Sequence, residues 1–327
     1  FIAKGEVKEM SSNIINDLVL KDTSFNFFAD SSDVLIKNVK SKMNGLIIKN
    51  GNFQIKRNEG IDLKSDFVTK IDINKKNISY YKKILKKFDL INEESNFNAE
   101  LNNFLDLTFD KTFKITKYNY SNKGKINKSL FKFDKSFKNN FLKKEIDNLR
   151  LKNSSLETRY ASDKNNYISS NGQYSIDNKN YQKYDFKNDF LKENSKIDLN
   201  FEFSQKLYID FINYEKKENK MANIELTIHT SKDEKNIKNF KYTENKSLII
   251  VEKLKINKKG FVSLKNIKVK TFSKNDLKND FTLKFKNKII ISGSKYDAKN
   301  LNKYLSQRSN NNIFQRIDKD IEIDIKD

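Results

Sequence analysis

The 327-residue chain contains no Pro, Cys or Trp and only 8 Gly, which excludes disulfides and thiolate metal sites and leaves tight turns to Asn, Asp, Ser and Lys. Its formal charge of +22 is almost wholly Lys, with Arg only at Arg57, Arg150, Arg159, Arg308 and Arg316, and it travels with abundant Asn, Ile, Phe and Tyr, all residues of A/T-rich codons. No nucleic-acid partner is expected, because phosphate and base readout favours Arg gathered in a patch.

A hydrophobic content of 36% is enough for a folded protein but low for a closed globule, and predicts an extended shape with much surface. No run approaches the ~20 apolar residues of a membrane-spanning helix. The chain opens on Phe1 rather than Met, so it is expected to be cut from something longer, with any leader or anchor upstream.

Between Leu18 and Ile73 the sequence reads as a β-meander. Phe25–Phe28, Val34–Val39, Leu46–Ile48, Phe53–Ile55 and Ile61–Ile73 are apolar-rich runs, and Asn44-Gly45 and Asn50-Gly51 between them predict hairpin turns that need positive φ. Ile78, Tyr81, Leu85 and Phe88 then recur at helical spacing among Lys82, Lys83, Lys86 and Lys87, predicting an amphipathic helix over Ile78–Leu90. Strands resume at Leu105–Phe109, Phe113–Ile115, Tyr118–Tyr120 and Gly124–Ile126. The spacing over Phe137–Leu151 fits neither period and marks a boundary, giving an N-terminal meander over 1–136 and a second β-segment over 137–327.

The second segment alternates most cleanly. Leu199, Phe201 and Phe203 interleave with Asn200 and Glu202; Leu207, Ile209 and Phe211 with Tyr208 and Asp210; Ile224, Leu226 and Ile228 with Glu225 and Thr227. Val262 and Leu264, Ile267 and Val269, Phe281, Leu283 and Phe285, and finally Ile321, Ile323 and Ile325 continue the pattern. Period-2 alternation sends apolar side chains to one face and charged ones to the other. Such strands do not suit a parallel sheet covered on both sides. The expected fold is mainly β, a long curved antiparallel sheet with an open groove and a few short helices. After Ile289–Ile291, Gly293 and Asp297 signal a turn and a cap for a closing helix over 298–305, with Leu301 and Leu305 on one face.

Catalytic signals are sparse. His229, the only histidine, falls in the outward phase of a strand, and no Gly-rich phosphate loop or nucleophile elbow is present. Asp318, Asp320, Glu322 and Asp324 would sit about 6–7 Å apart along a strand face, too far to share one calcium ion. The expectation is no enzyme, no metal and no cofactor. The apolar face is the remaining resource. With no Trp and few Met to pack a second layer, it is expected to be a ligand trough for lipid tails, lined by Phe53, Ile55, Leu107, Phe109, Leu199, Phe201, Phe203, Ile224, Leu226, Ile228, Val262, Leu264, Phe281, Leu283 and Phe285. In a structural or adhesive β-domain the same rows would be closed core, and in a Lys-rich binding module they would be secondary to a basic patch.

The train of alternating strands resembles the AsmA-like superfamily of envelope proteins, and within it the YhdP-type members. The stretch Ile291-Ser292-Gly293-Ser294-Lys295-Tyr296-Asp297-Ala298 with Leu301 is similar to that group's apolar-Gly-x-x-x-Asp segments, although Ala298 stands where a larger apolar residue is usual, and Asn44-Gly45-Leu46-Ile47-Ile48-Lys49-Asn50-Gly51-Asn52-Phe53 is similar to its early strand repeats. The resemblance implies a periplasmic bridge, anchored in the inner membrane by an upstream segment, carrying phospholipid toward the outer membrane along a hydrophobic groove without a chemical step or cofactor.

Overall fold

The computed structural model describes residues 1–13, 19–57, 59–84, 92–138, 141–142, 144–163, 166–177, 179–285, 287–300 and 320–327. The protein is mainly β and divides into two compact units, 1–137 with 146–181, and 138–145 with 182–327.

The first unit is a sequential antiparallel meander: β1 (Ala3–Asn13), β2 (Val19–Ala29), β3 (Asp33–Met43), β4 (Leu46–Arg57), β5 (Ile61–Ile73), β6 (Asn96–Phe109), β7 (Ile115–Phe137), β8 (Ile146–Ala161) and β9 (Asn166–Ser175), each paired with the next. Phe113 precedes β7, while Ile115, Tyr118–Tyr120 and Gly124–Ile126, expected as separate strands, belong to this one strand of 23 residues. The undecided Phe137–Leu151 stretch supplies the start of β8, which stays with the first unit because it pairs with β7 along most of its length. Of the boundary expected near 137, only 138–145 crosses to the second unit; the main division falls after Tyr181.

Asn44-Gly45 makes the expected turn, with φ of 37° and 91°. Asn50-Gly51 does not. It lies inside β4 at a bulge, where Gly51 is buried and a side chain would press on Phe67 Cβ at 3.1 Å. Only a turn needs positive φ at such a pair; here the residue is small because the neighbouring strand is close. Asn takes the left-handed conformation at Asn38, Asn44, Asn153, Asn213, Asn219 and Asn245, the substitution for glycine that the composition requires.

The helix α1 is described over Ile78–Ile84. Ile78 is buried and the Tyr81 hydroxyl donates to Asn44 O at 2.9 Å, which places the helix over the β3–β4 turn. Burial pushes the Tyr81 phenol up to about 12. Leu85, Lys86, Lys87, Phe88 and the rest of the expected helix lie outside the described residues.

The second unit runs β10 (Gln182–Leu191), β11 (Asn194–Phe203), β12 (Leu207–Ile209), β13 (Tyr214–Lys216), β14 (Ala222–Thr230), β15 (Glu234–Glu244), β16 (Ser247–Asn257), β17 (Gly260–Ser263), β18 (Asn266–Ser273), β19 (Asp276–Phe285), β20 (Ile289–Lys295) and β21 (Ile321–Ile325). The sheet order is β10-β11-β14-β15-β16-β18-β19-β20-β21, with β17 also on β16. All pairs are antiparallel except β20 with β21, a departure from the expected all-antiparallel sheet. A connection of some 25 residues between these two strands gives the chain the length to return in the same direction. The expected closing helix is described only as a 3-10 turn, Ala298–Asn300, with Asp297 Oδ1 accepting from Lys299 N at 3.3 Å; Leu301 and Leu305 lie outside the described residues. Within each unit, among the described residues, the first and last strands do not pair, so each sheet is open.

Candidate functional site

In the second unit, strand register aligns the apolar residues into rows that cross the sheet. One row runs Tyr184, Phe201, Ile224, Tyr242, Ile249, Val269 and Phe281 to Ile325. The next runs Phe186, Leu199, Leu226, Phe240, Val251, Ile267, Leu283, Ile291 and Ile323. A third, shorter row joins Ile197, Ile228, Ile237 and Leu254. The opposite face is charged, with Lys241 on Glu225 at 2.9 Å and Lys196 on Asp198 at 2.7 Å. His229 is on that charged face and exposed.

A separate segment covers the first of these rows, and Phe240, Ile267 and Ile291 of the second pack against the edge of the core it makes. Leu207–Phe211 was expected to be a strand, but only β12 forms. A 3-10 turn follows over Asp210–Ile212, Asn213 turns left-handed at φ 46°, and the chain doubles back as β13. This plug delivers Ile212 and Tyr214 onto the first row, where they form one core with Ala222, Tyr242, Ile249, Val269 and Phe281. Polar contacts lock it. Tyr242 donates to the Tyr214 hydroxyl at 2.9 Å, which donates to Glu244 Oε2 at 3.0 Å, and burial raises both phenols. Asn279, fully buried, donates to Ile212 O at 2.8 Å and to Thr271 Oγ1 at 2.8 Å, and accepts from Asp297 N at 3.0 Å. Tyr296 donates to Phe211 O at 2.9 Å and meets the Phe281 ring edge-on at 5.4 Å.

Lys216, at the end of the plug, is 1% exposed. Its Nζ donates to Gln205 O at 2.7 Å and Lys217 O at 3.2 Å and lies 5.2 Å from the Phe203 ring. Burial pulls this ammonium down to about 8, against the opposing pull of Glu244 and Glu218.

The expected groove residues therefore separate. Phe281, 5% exposed, is core beneath the plug; Phe203, equally buried, lies against Lys216 at its end, and Leu264 is buried. Phe201, Ile224, Leu199, Leu226, Ile228, Leu283 and Phe285 are half-buried. Val262 is 42% exposed: its neighbour Phe261 pairs with Ile256 and packs on Phe285 at 4.9 Å, so alternation turns Val262 outward. Phe53, Ile55, Leu107 and Phe109 share one face of the first unit, where Ile55, Leu63 and Leu107 form a row, and all four are half-buried.

Sequence reasoning missed β15 and β16. Phe240 and Tyr242 alternate with Lys241 and could have been found, but Leu248-Ile249-Ile250-Val251 has no alternation, so its inward face is not readable from the sequence. Left-handed Lys253, φ 52°, further switches the phase, making Leu254 the inward residue after Val251.

Among the described residues no cluster of three or more His, Asp or Glu is gathered for a metal ion, and no helix is long and apolar enough to cross a membrane. Comparison with protein-family models, with curated proteins and with solved structures finds no match.

Proposed function

We propose that this chain is a lipid-carrying segment of a periplasmic bridge of the AsmA-like type, on which phospholipid chains rest against the half-buried apolar rows and move between inner and outer membrane without a chemical step. The observation that carries this reading is the second row, Phe186 to Ile323, uninterrupted across nine strands and half-buried over most of its length. Eight strand spacings of ~4.8 Å make it ~38 Å long, more than twice the ~15 Å depth of one leaflet's hydrocarbon. Two acyl chains of about 16 carbons, at ~0.8 kcal/mol per methylene, would cost about 25 kcal/mol to expose to water. A carrier surface must therefore be apolar without breaks, and a row of near-equivalent Leu, Ile, Val and Phe positions lets a chain slide with no single deep well.

The test is to purify the chain without detergent and quantify co-extracted phospholipid by mass spectrometry, beside Leu199→Asp/Leu226→Asp, a cross-strand pair in the second row. Near-stoichiometric phospholipid in the parent, lost in a variant that keeps its β-type circular dichroism, supports the reading. A folded parent without lipid removes it and leaves a structural or adhesive β-domain, in which the plugged core of Tyr214, Tyr242 and Phe281 is the essential feature.

A further inference from the structure

The apolar face of the second unit has two ends along the direction of its strands, and the topology gives them different chemistry. At one end the first row is covered by Ile212 and Tyr214. At the other end, beyond the third row, the strands turn at β10–β11, β14–β15, β16–β17 and β19–β20, and these turns carry Lys192, Lys232, Lys258 with Lys259, and Lys288, all exposed. These turns carry two acidic groups, Glu193 and Asp233: Asp233 holds Lys258 at 3.0 Å and Lys288 pairs with Glu322 on β21, while Lys192, Lys232 and Lys259 have no carboxylate within ion-pair distance among the described residues.

We infer that these lysine-bearing turns form a headgroup subsite for an anionic, phosphate-bearing amphiphile whose chains lie on the second and third rows. The inference rests on the lipid-carrying reading and adds a polarity to it. Distance permits the arrangement. Lys232 is four residues beyond Ile228, the last apolar inward residue of β14, and Lys258 two beyond Ile256, which pairs with the inward Phe261, or ~13 and ~7 Å at ~3.3 Å per residue, and a lysine stem can lie back along apolar surface with its ammonium in water. Charge complementarity selects the occupant: neighbouring turns are two strand spacings, ~10 Å, apart, so a phosphate held between two of them gains from the ammonium groups of both at an interface where the medium is less screening than bulk water. Lysines at the plugged end, Lys217, Lys220, Lys246 and Lys274, are equally exposed, but the row beside them is covered, so a head bound there would have its chains in water.

The experiment titrates the whole chain with two single-chain probes below their micelle concentrations: oleoyl lysophosphatidate, with a phosphate head, and monoolein, with the same chain and a neutral head. A variant with Lys192, Lys232, Lys258 and Lys259 each changed to Ser is compared with one carrying the same change at Lys217, Lys220, Lys246 and Lys274, so both lose equal charge. The expected result is about tenfold weaker lysophosphatidate binding in the first variant alone, with monoolein binding unchanged in both. An equal loss in both variants would reduce the effect to general charge and overturn the subsite, as would no loss in the first. A parent that binds both probes alike keeps the lipid reading but removes the subsite; one that binds neither removes both.

Discussion

The two units are built by the same alternation, yet their apolar faces are finished differently. In the second, a separate plug brings Ile212 and Tyr214 down on Tyr242 and Phe281, and large side chains make a closed core along the first row, beside rows that are half-buried. In the first, no such segment covers the face among the described residues. Its buried positions are mostly small or polar: Ser65, Thr69, Asn103, Asn122, Ser129, Ser154 and Thr158, with an apolar cluster of only Ala99, Leu101 and Ile126. These belong to the inward phase, with Asn103, Asn122 and Thr158 opposite one another across β6, β7 and β8. Gly124 lies in the same region, on β7 opposite Leu101, where a Cβ would fall 2.0 Å from the Glu100 O of the neighbouring strand. Alternation chooses the inward face; what is folded over that face decides whether it becomes core or surface.

Five substitutions sharpen the contrast. The largest effect is expected at the plugged core: Phe281→Ala should cost about 3–5 kcal/mol in urea unfolding, since the ring is packed by Tyr296 and the cavity cannot collapse. In the first unit, Asn103 donates to Phe67 O, Thr69 Oγ1 and Leu101 O and accepts from Tyr120. Asn103→Ala, which strands these groups, should cost about 2–3 kcal/mol, and a loss near zero would show that this polar network contributes nothing to holding the face.

Lys216 acts in the opposite direction. Its ammonium is disfavoured by burial, so between pH 8 and the ordinary lysine value of 10.5 the folded state releases a proton that the unfolded state retains. Stability from this group therefore rises with pH across that window, and the charged form below it costs on the order of 3 kcal/mol. Lys216→Met should stabilise by about 1–2 kcal/mol at pH 7, the smaller figure allowing for the hydrogen bonds lost at Gln205 O and Lys217 O, and the advantage over the parent should shrink by pH 10. Denaturation curves at the two pH values measure it; an advantage that grows with pH would reverse the sign of the argument. Smallest is the effect of Ser65→Ala or Thr158→Val, whose buried hydroxyl oxygens have no partner among the described residues. Each should be neutral or stabilising by up to about 1 kcal/mol, and a loss larger than that would mean the hydroxyl is satisfied after all.

Much of this architecture is legible in the residues. Ile61–Ile73 is a strand as its alternation predicts, and Leu199, Phe201 and Phe203 face one way as they should. What escapes is everything set by tertiary contact. Leu207–Phe211 has a strand's alternation, but the segment folds back on the sheet because Ile212 and Tyr214 gain more by covering Tyr242 than β12 gains by continuing. Asn50-Gly51 has a turn's sequence in a strand's interior, and Val262 has the right residue type in the wrong phase, since a register shift between β16 and β17 turns Phe261 inward instead. The lysine turns are visible as residues, but only the sheet order shows which of them lie at the open end.

The central claim is that the apolar face, and not the charged one, meets lipid. Leu226 and Thr227 are neighbours on β14 whose side chains point to opposite faces. A photoreactive benzoylphenylalanine placed at each in turn, irradiated in the cell and followed by mass spectrometry of the purified chain, tests it directly. The account predicts a phospholipid-mass adduct from position 226 and none from 227. Adducts from both alike, or protein cross-links alone from position 226, would contradict it.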